Sequence, residues 1–130
     1  MLAELLDRWC LLEGDRCLPW SSSQPSDMNW LQLVGCNKWC RVYNHGNDPQ
    51  SLAVIEYAVQ EAIAARPDWT AFHHISRQPD GIEHDITVYP TDDTPSDYSA
   101  TSAIAAKAWL EAYLNAVEGV RAASVSEVQS

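Results

Sequence analysis

Basic residues are scarce in this chain: eight Lys and Arg stand against 18 Asp and Glu, for a net charge of −10. A phosphate backbone or an anionic membrane repels such a protein, so direct nucleic-acid binding is not expected. Glycine is thin as well, at five residues. No phosphate loop, dinucleotide fingerprint, Gly-x-Ser-x-Gly or His-Glu-x-x-His occurs, which removes the familiar signatures of catalysis without excluding catalysis itself. No run approaches the roughly 20 apolar residues that cross a bilayer, so no membrane association is expected. Met1 to Arg8 carries acids early and lacks a basic stretch, so it does not read as a secretory signal. The expected compartment is the cytoplasm, where the four cysteines read as reduced thiols rather than two disulfides.

What is present suffices for one core. Of 130 residues, 46% are apolar, and six are tryptophans, each wanting apolar surface and a partner for its ring N–H. Residues 1–119 read as a single α+β domain and 120–130 as a flexible tail.

Leu2, Leu5, Leu6, Trp9 and Leu12 recur at helical spacing and predict a helix over 2–13. Residues 15–28, with Pro19, Pro25 and three consecutive serines, read as a loop. Trp30–Val34 and Trp39–Tyr43 are β-prone and predict a hairpin, though the first segment also fits a short helix capped by Ser26. Asp48 as N-cap, Pro49 at the first helical position and an apolar stripe from Leu52 to Ile63 predict a helix ending before Pro67.

Residues 69–77 and 82–89 predict a second hairpin around Pro79-Asp80-Gly81. A two-residue loop puts Ile75 opposite Ile86 and His73 opposite Val88, with Ala71, His73, Ile75, Ile86 and Val88 on one face. A three-residue loop exchanges the faces. After an acidic loop from Thr91 to Asp97, a helix is expected over about 100–118, ended by Gly119. The order helix-ββα-ββα, with about four strands in one antiparallel sheet and helices packed on it, is the expected fold. Trp30, Val42-Tyr43 and the Leu52–Ala65 helix are echoed by Trp69, Val88-Tyr89 and the Ala103–Val117 helix.

Leu5-Leu6-Asp7-Arg8-Trp9-Cys10-Leu11-Leu12-Glu13-Gly14, Pro19-Trp20-Ser21 and Ala103-Ile104-Ala105-Ala106-Lys107-Ala108-Trp109-Leu110 together resemble the phage ABA sandwich domain family. These segments and the intervening hairpin cover about half of the chain, and the Cys36–Cys40 region has no counterpart. The resemblance implies a small phage-type protein with an antiparallel sheet flanked by helices, resident in the host cytoplasm. It carries over no catalytic residue.

The side chains offer four kinds of chemistry. Trp39, Arg41, Tyr43, His74, Arg77 and Tyr89 lie on strands, where rings can stack on a nucleobase and guanidinium groups can hold phosphate. The alternative for each ring is core packing. His74 or His84 with Asp85 offers an acid–base pair for a small hydrolase, although histidine is also an ordinary strand residue. Cys36, Cys40 and His45 offer three zinc ligands, with Cys10 or Cys17 as a fourth, although small buried thiols need no metal. Cys10 and Cys17 themselves are expected in different environments. The acidic stretch from Asp80 to Asp97 fits either DNA mimicry or a solvated face. The leading expectation is a non-catalytic accessory protein without a cofactor, forming homo-oligomers and capturing a nucleotide-like small molecule or blocking a host protein. A hydrolase and a zinc-stabilised interaction module are the alternatives.

Overall fold

The computed structural model describes residues 2–19, 28–33, 38–90 and 97–129, and the side chains of 2–18, 28–33, 38–90 and 97–122. Helix α1 (Leu2–Leu12) buries Leu2, Leu6 and Trp9, the stripe expected of it. Three short strands follow: β1 (Cys17–Pro19), β2 (Met28–Leu33) and β3 (Lys38–Tyr43). They pair antiparallel in the order β1-β2-β3, with Leu31 opposite both Cys17 and Cys40. Residues 30–33 are therefore strand and not the short helix that they also allowed, and Val34 lies outside the described residues.

Helix α2 (Pro49–Ala64) begins where its cap residues place it. The Asp48 carboxylate accepts from the Ser51 N–H at 3.0 Å, and the proline at the first position has no N–H to satisfy. Strands β4 (Thr70–Gln78), β5 (Gly81–Tyr89) and β6 (Tyr98–Ser102) make a second antiparallel sheet in chain order, and α3 (Ala105–Gln129) completes the chain.

The class is α+β with antiparallel sheet, as the sequence predicts. Its organisation differs from the expected four-stranded sheet. Among the described residues two three-stranded sheets form, so a leading helix is followed by βββα twice. Helix α2 packs on β2 and β3, α3 packs on β5 and β6, and α2 and α3 pack on each other, with α1 laid against α3 and β1. Between Ala106 and Val117 helix α3 is buried nearly all round, through Ala106, Ala108, Trp109, Leu110, Ala112, Tyr113, Leu114, Ala116 and Val117. Alanines at 108, 112 and 116, and at 58 and 62 of α2, keep these faces low, which lets neighbouring elements approach closely.

Two boundaries move. Residues 100–102, expected as helix, pair with β5 as strand β6. Gly119 does not end α3, which continues to Gln129 through the segment expected as a flexible tail. Its lack of a side chain serves packing instead: a Cβ there would overlap the ring and hydroxyl of Tyr98. The acidic residues Asp92 and Asp93 lie outside the described residues.

In the 70–89 hairpin Gln78 pairs with Gly81, which leaves Pro79 and Asp80 as the loop. Gly81, at φ 144°, adopts a backbone that other residues rarely take. The register is displaced from both expected ones: His73 faces Ile86, His74 faces Asp85 and Ile75 faces His84. The displacement is even relative to the two-residue reading, so the faces keep that membership. Ile86 and Val88 are fully buried, whereas Ile75, nearer the hairpin tip, is exposed.

A polar cluster joins three helices inside this packing. Glu13, buried just past α1, accepts hydrogen bonds from Trp9 Nε1 (3.0 Å), Arg66 Nη2 (2.7 Å) and the Tyr113 hydroxyl. Arg66 Nη1 also donates to the Tyr113 oxygen at 2.7 Å, and the guanidinium lies 4.6 Å from the Trp69 ring centre. Burial pushes the Glu13 carboxyl up, but the bonds from Tyr113, Arg66 and Trp9 outweigh it and hold the group below its ordinary value. Farther along, Arg8 of α1 grips Glu118 of α3 with two bonds of 2.7 and 2.8 Å.

Candidate functional site

A side-chain hydrogen bond ties the end of β3 to the start of α2. Ser51, in the first turn of α2, accepts the Tyr43 N–H on its hydroxyl oxygen at 2.9 Å. That bond holds the end of an edge strand against the start of a helix. A cleft of about 630 Å³ opens beside it, lined by Cys40, Arg41 and Tyr43 of β3 and by Asp48, Gln50 and Ser51 at the start of α2. Its volume falls within the range of small-molecule sites. Tyr43 is half exposed, its ring edge-on to His45 with centres 5.9 Å apart. Its lining residues carry a guanidinium (Arg41), an aromatic ring (Tyr43) and a carboxamide (Gln50), together with the Asp48 carboxylate that caps α2. The guanidinium, ring and carboxamide of that set suit a planar ligand bearing an anionic group.

Beneath this junction the polar groups are paired. Asn29 of β2 and Asn44, which follows β3, are both buried, and Asn44 Nδ2 donates to Asn29 Oδ1 at 2.9 Å. Their mutual bond offsets the cost of burying two amides and fixes the strand ends under the cleft.

Of the six residues expected to hold a ligand, two meet here: Arg41 and Tyr43. Trp39 shares their face of β3 by strand alternation and is partly exposed, but it does not line the cleft. His74, Arg77 and Tyr89 lie on the second sheet, on β4 and β5, and contribute nothing to the cleft wall. The expected single set is therefore divided, because the strands that carry it belong to two sheets rather than one. Gln50 and Ser51 went unnoticed in the sequence. Their placement follows from the Asp48 cap, which turns the first helical turn toward β3.

The acid–base alternative is reshaped by the register. His74 and Asp85 are direct cross-strand partners, and Asp85 accepts from Ser76 Oγ at 3.3 Å. His84 lies on the opposite face, where its Nδ1 meets His73 Nε2 at 2.9 Å, and the His73 ring stands edge-on to Trp109. Asp85 therefore cannot orient both histidines. For the metal alternative, Cys36 lies outside the described residues. Cys40 lines the cleft and His45 is exposed beside Tyr43. Among the described residues, no three His, Cys, Asp or Glu side chains gather as a metal site. No described helix is long and apolar enough to cross a membrane.

Compared with protein-family models, with curated proteins and with solved structures, the chain matches none of them. The geometry of the site is thus the ground on which function is read.

Proposed function

We propose that this chain is a binding protein whose ligand is a small nucleotide-like molecule, held in the cleft between β3 and the start of α2. One observation carries the reading: Arg41 and Tyr43, on a strand edge, converge with the first turn of α2 around a cavity of ligand size. The guanidinium pairs with an anionic group, the Tyr43 ring packs on a planar one, and Gln50 reads polar edges. The surrounding protein is strongly acidic, so the cationic group is a local exception that favours a compact ligand over a polyanion. A phage-type accessory role, sequestering a host signalling nucleotide, is the setting that the family resemblance supplies for this chemistry.

The test is a panel of mono-, di- and cyclic nucleotides titrated against intrinsic tryptophan fluorescence, with thermal stability followed in parallel. A binder shifts the melting temperature upward with concentration. Arg41→Ala should weaken that ligand at least about tenfold, as expected for loss of a charge-assisted contact. Flat titrations across the panel, with no thermal shift, reject the reading.

Self-association belongs with this proposal. Among the described residues strand β4 is a nine-residue sheet edge, and Phe72 and Ile75 on it are exposed. Pairing of β4 with the same strand of a second copy covers that edge. Sedimentation analysis should show a dimer that Ile75→Lys dissociates, and a monomer at all concentrations excludes it.

A further inference from the structure

Two thiols meet away from the cleft opening. Cys10 lies in the last turns of α1 and Cys17 opens β1, yet their sulfur atoms stand 3.0 Å apart, against the different environments expected of them. A disulfide bond is about 2.05 Å long, so a shift of about 1 Å would join them. The backbone between them imposes the approach. Arg16 N–H and Cys17 N–H both donate to the Glu13 carbonyl, at 3.0 and 3.2 Å, and fold the chain tightly back on α1. Cys10 is half-buried and Cys17 is wholly buried. Asn29 Nδ2 points at the Cys10 sulfur from 3.5 Å.

We infer that Cys10 and Cys17 form a reversible dithiol–disulfide couple, oxidised by small disulfides of the glutathione class. Exposure assigns the roles. Cys10 is the thiol that an external reagent reaches, and Cys17 resolves. The hydrogen bond from Cys17 lowers the Cys10 thiol below its ordinary value; burial opposes this and Asn29 assists. That same bond, together with burial, pushes the Cys17 thiol up, so it stays protonated while Cys10 is a thiolate.

In the first step the Cys10 thiolate attacks one sulfur of the external disulfide. A Cys10 mixed disulfide forms, the external S–S bond breaks, and one thiolate leaves. Cys10 then carries no charge, which removes the main influence holding the Cys17 proton. The departing thiolate takes that proton. The Cys17 thiolate attacks the Cys10 sulfur and expels the second external thiolate, which water protonates. The protein loses two electrons and the reagent gains two, as two thiols and one disulfide become one disulfide and two thiols. This chemistry is independent of what the cleft holds.

The experiment equilibrates the native full chain in glutathione buffers from fully reduced to fully oxidised. Remaining thiols are alkylated after unfolding, and the products are mapped by mass. Trypsin cuts after Arg8, Arg16, Lys38 and Arg41, so Cys10 leaves on residues 9–16, Cys17 with Cys36 on 17–38, and Cys40 on 39–41. The expected product is 9–16 joined to 17–38, with fragmentation placing the bond on Cys17 and alkyl groups on Cys36 and Cys40. Thiol reductant should reverse it, and near-ultraviolet circular dichroism should stay native throughout. Cys17→Ser should stop the reaction at the Cys10 mixed disulfide. Alkylation of both Cys10 and Cys17 at every poise overturns the inference. So does a bond from Cys10 to Cys36, or a Cys10–Cys17 bond that forms only in the unfolded chain.

Discussion

Replacing Glu13 by glutamine removes one charge and leaves the shape nearly unchanged. In the native protein one Glu13 oxygen faces Arg66 Nη2 at 2.7 Å, and the other accepts from Trp9 Nε1 and the Tyr113 hydroxyl. A glutamine can satisfy one of those sides. On the other its NH₂ meets a donor, and Arg66 loses its counter-ion. Breaking a buried pair from one side costs about 3–5 kcal/mol. The Arg66 side chain is 26% exposed, so water recovers part of the loss, and about 2–4 kcal/mol is expected. Urea unfolding at neutral pH reads this as a lower midpoint with an unchanged slope.

The pH dependence adds a second check. The folded Glu13 pKa lies below the unfolded one, so its stabilisation is fully present above the ordinary carboxylate range. It is lost as pH falls through the folded value. The difference between wild type and Glu13→Gln should therefore hold at neutral pH and shrink below about pH 4. A variant within about 0.5 kcal/mol of wild type at neutral pH would refute the cluster's role in joining the helices.

Three further outcomes follow from the packing. Gly119→Ala gains about 1 kcal/mol of helix propensity but forces the Tyr98 ring aside at about 1–3 kcal/mol. It should destabilise wild type, yet stabilise a Tyr98→Ala background, as paired denaturation curves would show. Leu114→Ala, at a fully buried position of α3, should lose about 2–5 kcal/mol in the same assay, and a loss under about 1 would contradict the central placement of that helix. Asp48→Ala removes the cap of α2 and should cost about 1 kcal/mol, with faster amide exchange confined to the first turn.

Local signals in the sequence led to the elements they govern. The Asp48-Pro49 start fixed α2, and the Asp80-Gly81 turn located the second hairpin. Period-two alternation left two opposite assignments of its faces, of which the two-residue one holds, and the pairing itself slid because Gly81 joined the strand rather than the loop. The elements that were missed are those whose residues do not favour their final state. Strand β1 is three residues ending in proline, and β6 reads Tyr-Ser-Ala-Thr-Ser. Each becomes a strand through the neighbour it pairs with. Gly119 looks like a helix terminator until Tyr98 is placed against it.

Long-range partners were the least legible. Glu13 meets Arg66 and Tyr113 across 53 and 100 residues of chain, and no local pattern announces that. The candidate site was half visible for the same reason. Arg41 and Tyr43 carry the right chemistry in plain view, but the helix turn completing the cleft belongs to another element, and the other expected residues went to another sheet.

Native mass spectrometry of the protein purified from its source, beside an Arg41→Ala and Tyr43→Ala double variant prepared in the same way, tests the binding role of the cleft most directly. Wild type should carry one small adduct per chain, of nucleotide mass and dissociable by mild activation, and the double variant should carry none. An adduct retained equally by both, or wild type at its bare chain mass, would contradict a ligand held between β3 and α2.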